Sequence, residues 1–205
     1  MNTPDPDMTA AAVLAFWLGA HPIDAAAMAR VQGQWFMKNE AFDAELRQRF
    51  GPTIDAALAG GLGDWPESAE GRLALLIVLD QFTRNVFRGD ARSFSGDARA
   101  LALAQEGIAR GHDRAIPPLA RIFCYLPLEH AEDLEMQARS VALFTALRDA
   151  PASEPKAFFD NTLDYARKHQ QVIARFGRFA HRNAILGRAS TPEELAYLAQ
   201  PGAGF

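Results

Sequence analysis

Apolar residues recur three and four positions apart along nearly all of the 205-residue chain, and strict alternation is absent, so the pattern predicts helices rather than strands. Abundant Ala, Leu, Arg and Glu point the same way. About eight helices fit. The first covers residues 8–19. A second runs over 39–59 on a stripe of Phe42, Leu46, Phe50, Ile54 and Leu58, with Gly51 and Pro52 expected to break or kink it. The loop GGLGDWPES leads to Ser68, which can cap a helix over 69–83. Ser93 or Ser95 opens the next, which ends near Gly111. Pro117, Pro118 and Pro127 then punctuate a helix over 117–125 and another over 128–148. DAPASEP is the clearest linker. A long helix over 155–176 stops at Gly177, and Thr191, Pro192 and Glu194 supply the N-cap, first residue and return arm of a capping box for the last helix. Short connections between amphipathic helices predict antiparallel pairs in a single all-α domain over 1–205, as in bundles or helical arrays. No ~34-residue repeat signature marks the chain.

Several polar residues fall where the pattern wants apolar ones. The run LALLIVL at 73–79 is apolar on every side, so its helix lies centrally. Asp80 and Arg84 follow four apart on it, placed to pair. In the helix expected over 128–148, stepping 100° per residue puts Glu129, His130, Asp133 and Gln137 in the arc of Leu134, Met136, Val141, Phe144 and Leu147. Glu132, Glu135 and Arg139 take the opposite arc. Over 155–176, His169 sits at the centre of a stripe of Phe158, Tyr165, Val172, Ile173 and Phe176. A histidine there is more often a hydrogen-bonded core member than a catalyst. Residues 175–191, RFGRFAHRNAILGRAST, carry four arginines and a histidine with no acid. Arg178, His181, Arg182 and Asn183 are therefore expected to turn back toward Glu129 and Asp133, and toward Asp80, since buried charges need partners.

The totals narrow the function. With 49% hydrophobic and 22% charged residues the chain can bury a full core. A net charge of −4 argues against nucleic acid or an anionic membrane as partner, because both reward a surplus of Lys and Arg. The single cysteine, Cys124, forms no internal disulfide and reads as a small buried hydrophobe, which suits the cytoplasm. The amino terminus has no basic region and no secretory pattern, and no apolar stretch is long enough to span a bilayer. Trp17, Trp35 and Trp65 fit core or loop anchoring equally well.

The segments LDQFTRNVFRG, YLPLEHAEDLEMQ and FGRFAHRNAILGRASTPEEL, with FWLG and QWFMKNEAFD nearer the start, together resemble the bacterial family known as domain of unknown function 924. The resemblance runs over most of the chain. It implies an all-helical, tetratricopeptide-like array of helical pairs, and it brings no reaction, substrate or catalytic residue with it. Thr83 and Ala180 stand where that pattern has proline, and Ala131 where it has serine. The last departure speaks against a serine nucleophile beside His130.

Three functional readings remain. In the first, Arg178 and Arg182, with Arg84 or Arg88, hold an anionic group while His130, His169, His181, Asn183, Asp80, Asp133 and Glu129 orient the rest of a small molecule or peptide end. In the second, Glu129 or His130 moves protons in a hydrolase or acid–base enzyme and the arginines stabilise negative charge. In the third, the cluster is a structural lock and a helical groove takes a protein partner. No cofactor signature is present. Metal binding is a subordinate idea: His130 and Asp133 with His169 or His181 could chelate, yet HExxH, Glu-x-x-His and a cysteine set are all missing, so no ligand set is assigned.

Overall fold

The computed structural model describes residues 8–150 and 152–204. Residues 1–7 of the amino-terminal segment and Pro151 of DAPASEP lie outside them. Among the described residues the chain is all-helical with no strand, and it has nine helices when 69–86 is counted once. None is long and apolar enough to cross a membrane. Two compact units result, one from the residues up to Arg88 with Arg92–Pro127, the other from Gly89–Ala91 with the chain from Leu128 onward.

The first unit holds α1 (Ala10–Leu18), α2 (Ala25–Val31), α3 (Glu40–Leu58), α4 (Ala69–Leu76), α5 (Thr83–Val86), α6 (Asp97–Ala109) and all but the last two residues of α7 (Pro118–Glu129). Side-chain caps fix four starts: Thr9, Asp24, Asn39 and Ser68 each accept a backbone N–H of the first turn. The α2 helix was not expected from the pattern, because AAAMARV buries only Ala27 and Met28 and shows no stripe. Pro52 does not break α3. It is exposed, and Leu46, Phe50 and Ile54 are buried on both sides of it, so packing outweighs one lost backbone bond. Residues 71–83 are buried without interruption, as the run LALLIVL requires. Between α4 and α5 the backbone is π-helical over Ile77–Phe82, and the Thr83 hydroxyl donates to the Leu79 carbonyl at 2.8 Å. Trp17, Trp35 and Phe123 pack edge to face, and the Trp35 indole donates to the Trp17 carbonyl at 2.7 Å.

The second unit is built on α8 (Leu134–Asp149) and α9 (Lys156–Phe176), followed by a 3₁₀ turn at Ala180–Arg182 and α10 (Pro192–Leu198). Arg148 near the end of α8 meets Asp160 near the start of α9 at 3.2 Å, and Glu132, just before α8, meets the Phe179 N–H just after α9. The two helices are therefore antiparallel. Between them the Ser153 hydroxyl donates to the Leu147 carbonyl and the Lys156 ammonium to those of Arg148 and Ala150. Phe144, Leu147, Phe159, Leu163, Ala166 and His169 are buried here. The stripe of α9 is centred as expected but leans toward Leu163 and Ala166. Tyr165 is exposed, under the Lys168 ammonium at 5.0 Å.

One expected helix is really two elements. The chain over 128–148 does not form a continuous helix: α7 carries on through Pro127 to Glu129, residues 130–133 turn, and α8 begins at Leu134. Asp133 is the reason, since its carboxylate accepts the Met136 N–H at 2.9 Å as N-cap. Consequently Asp133 and Leu134 are exposed rather than inward, while Glu129 and Gln137 are buried.

Candidate functional site

Glu129 ends α7, and the turn after it is pinned from α8. The Gln137 amide donates to the Glu129 carbonyl at 2.6 Å and to the Ala131 carbonyl at 2.8 Å. Neighbouring residues in a helix point 100° apart. Leaving the helix at Glu129 frees His130 from that geometry, and Glu129, His130 and His169 of α9 come together. One ligand-capable atom of each lies within 4.8 Å of the others. Glu129 and His169 are 3% and 5% exposed, and His130 is half-buried. His169 Nδ1 is 2.9 Å from the Tyr165 carbonyl and 3.2 Å from Glu129 Oε1. Both are acceptors, so the proton of the neutral ring is assigned to Nδ1 and the lone pair to Nε2. Burial, and then the neighbouring His130, push the His169 pKa down to about 3, leaving the ring neutral at neutral pH.

Phe179 joins this cluster to the carboxy-terminal basic stretch. Its ring meets His169 edge-on at 5.4 Å and His181 at 5.7 Å, and the Arg182 guanidinium lies 4.4 Å above it. Arg182 is only 6% exposed. Burial and then the Arg182 charge push the His181 pKa down to about 4. Burial, with the Arg182 charge as a further cause, thus keeps both imidazoles neutral at neutral pH.

Arg175, Arg178 and Arg188 of the stretch bond carboxylates. Arg178 grips Glu194 at two points, 2.7 and 2.9 Å, rather than Glu129 or Asp133. The carboxyl of Glu194 is held down at about 2 by Arg178 and then by the Thr191 N–H, which it accepts at 2.7 Å in the expected capping box. Arg188 grips Glu132 at 2.6 and 2.9 Å. Burial works against the Glu132 charge, but Arg188 and the Phe179 N–H hold its pKa below the usual carboxylate range. Asn183, 1% exposed, joins the two grips, donating to Glu194 and Ser190 and accepting from Arg188. Arg175 meets Glu193.

Asp80, Arg84 and Arg88 belong to the first unit and find partners there. Arg84 bonds both Asp97 oxygens, at 2.8 and 3.0 Å, and Asp80 at 3.0 Å. Burial opposes its charge, yet Asp80 and Asp97 raise its pKa. Arg88 meets Asp43, which also accepts from Asn85 at 2.7 Å. A second polar cluster of this unit had no signal in the pattern: buried Arg72 reaches the Pro66 and Leu103 carbonyls, Glu106 and His112. Cys124 is buried there, and burial followed by Asp113 pushes its thiol up to about 12, so it is no nucleophile at neutral pH.

Sequence reasoning missed Glu132, Asp43 and Asp97 as partners and used Glu194 only as a cap. Glu132 shows why. It is exposed, as the outward arc expects, but its partner Arg188 lies 56 positions away in the chain.

The profile of a family described as "Bacterial protein of unknown function (DUF924)" matches residues 13–202. Among solved structures, the "Protein of Unknown Function ATU0120 from Agrobacterium tumefaciens" superposes with a TM-score of 0.78 at 40% identity, covering 93% of this chain and 96% of that one. No curated protein matches. Sequence motifs, matched length and shared fold agree, and the chain belongs to the bacterial family DUF924.

Proposed function

We propose that the protein binds a small anionic molecule, or the carboxylate end of a peptide, at Arg182 and the neighbouring His130, His169, His181 and Glu129 of the second unit. The observation that carries this reading is the buried Arg182 guanidinium, 4.4 Å over the Phe179 ring, which in turn meets His169 and His181. A planar guanidinium engages a carboxylate or phosphate at two points, and shielding from solvent strengthens that contact. Arg178, Arg188, Arg84 and Arg88 bond carboxylates of the chain, and we assign them to the frame of the fold. Asp80 likewise serves Arg84. The frame we assign is an array of antiparallel helical pairs, which the α8–α9 hairpin supports, working in the cytoplasm, as the buried lone thiol suggests.

A thermal-shift screen of inorganic phosphate and of phosphorylated and carboxylated metabolites tests the reading. A ligand at about 100 times its Kd is expected to raise Tm by about 5 °C. Arg182→Lys keeps the charge without the two-point contact and should lose most of that response. No response to any of these anions, or an undiminished one in Arg182→Lys, sinks the reading. A second reading, acid–base catalysis by Glu129 and His130, draws on the 3.2 Å carboxylate–imidazole contact of Glu129 with His169. It replaces simple binding if the anion that shifts Tm is also turned over and His130→Ala abolishes turnover.

A further inference from the structure

We propose that Glu129, His130 and His169 bind one divalent transition-metal ion of the class that includes Zn²⁺, Co²⁺ and Ni²⁺. Three observations carry this. The first is convergence: a carboxylate and two imidazoles from α7, the turn after it and α9 each offer a ligand atom within 4.8 Å of the others. His169 Nδ1, 3.2 Å from Glu129 Oε1, is engaged with the Tyr165 carbonyl, which leaves Nε2 as the ligand atom of this ring. Two ligands of one tetrahedral ion lie about 3.3 Å apart, so an ion would draw these ligand atoms closer together.

The second is support. The ring of His169 is oriented by its bond to the Tyr165 carbonyl, the kind of backbone contact that positions metal-binding histidines. The turn that carries Glu129 and His130 is held at two carbonyls by one amide, that of Gln137, which is itself fully buried. Ligands on such a braced frame lose little freedom when an ion binds. The third is setting. Two of the three ligands are buried, the Phe179 ring meets His169 at 5.4 Å, and His130 is half-buried.

The donor set selects the ion. Two nitrogens and one carboxylate suit borderline transition metals, whereas Ca²⁺ takes about six to eight oxygens and Mg²⁺ a near-octahedral oxygen shell. Three protein ligands also leave a coordination position open for water or another small ligand. The sequence hides this set. Glu129 and His130 are adjacent, a spacing that no helical chelate uses, and only the end of α7 between them lets both face His169.

The test uses the full chain, stripped with a chelator, dialysed free of it and titrated with CoCl₂. Visible absorption bands of bound Co²⁺ are expected to saturate at about one equivalent and to vanish on adding Zn²⁺. His130→Gln and His169→Gln should each weaken Co²⁺ binding by more than about the ten- to hundred-fold typical for loss of a mere supporting partner. His21→Gln and His112→Gln should bind as the wild type does. Circular dichroism checks folding, and half-buried His130 supplies the decisive variant should His169→Gln fail to fold. Binding well below one equivalent by the wild type, or equal binding by wild type and His130→Gln, overturns the proposal. The inference shares the cluster with the anion reading but does not rest on it. A phosphate-induced Tm shift that persists in stripped protein without Co²⁺ binding defeats the metal alone, and Co²⁺ binding without any anion response defeats the anion reading alone.

Discussion

Gly96 shows how far one residue can govern a packing contact. A Cβ built on it would lie 2.1 Å from the Leu79 carbonyl oxygen, and its φ of −89° is one any residue adopts, so the constraint is space rather than backbone conformation. The carbonyl it presses on is the one the Thr83 hydroxyl bonds, within the π-helical segment that carries Asp80. Gly96→Ala is expected to cost about 1–3 kcal/mol of stability by overpacking, measured by urea denaturation. His169 makes the same point at the site. A helical wheel foresaw its burial, but its Glu129 partner came from a residue 40 positions away, beyond the reach of any local pattern.

At the scale of elements, the second unit is fastened by charge-assisted bonds that cross from one segment to the next. Glu132 alone accepts from Arg188 and from the Phe179 N–H, tying the turn before α8 to the chain after α9. Glu132→Ala removes both at once. Because the pair is partly exposed, its loss costs less than that of a fully buried one, and about 1–3 kcal/mol of destabilisation is expected by urea denaturation. Charge-reversed Glu132→Lys should be worse, since it places a cation against Arg188. The basic stretch of 175–191 is thus explained by acids that flank it in space, Glu132, Glu193 and Glu194, of which the last two follow it directly in sequence. Helix positions and caps were legible because they depend on neighbours within one turn. The turn at 130–133 was not, because helix and cap compete there and the hydrophobic period alone favours continuing the helix.

For the molecule as a whole, buried groups with displaced pKa values set how stability varies with pH. His169 and His181 titrate at about 3 and about 4 when folded, below the ordinary histidine value near 6.5. Between those values the unfolded chain binds protons that the native one refuses, so stability is complete above about pH 6.5 and falls as pH drops. Glu194, held at about 2 when folded, adds to the same decline once pH passes below its ordinary range near 4.5. Urea midpoints of metal-free protein should therefore fall steadily from pH 7 to pH 4, and His181→Gln should flatten the upper part of that slope. A midpoint that stays level down to pH 5 would contradict the buried neutral state of both rings.

The sequence by itself determined that this chain folds as helices, where most of them begin and end, which stretch lies at the centre of a core, and the family. These follow from periodicity, capping residues and motif order, all of which act over a few residues or are matched in sequence order. Only the tertiary structure settled which acids meet Arg88, Arg178 and Arg188, that Asp133 caps a helix instead of facing inward, and that Glu129, His130 and His169 share one small volume. Those outcomes turn on where helices stop and how they pack, and a shift of a single residue at the end of α7 would swing a side chain by about 100° away from its partners.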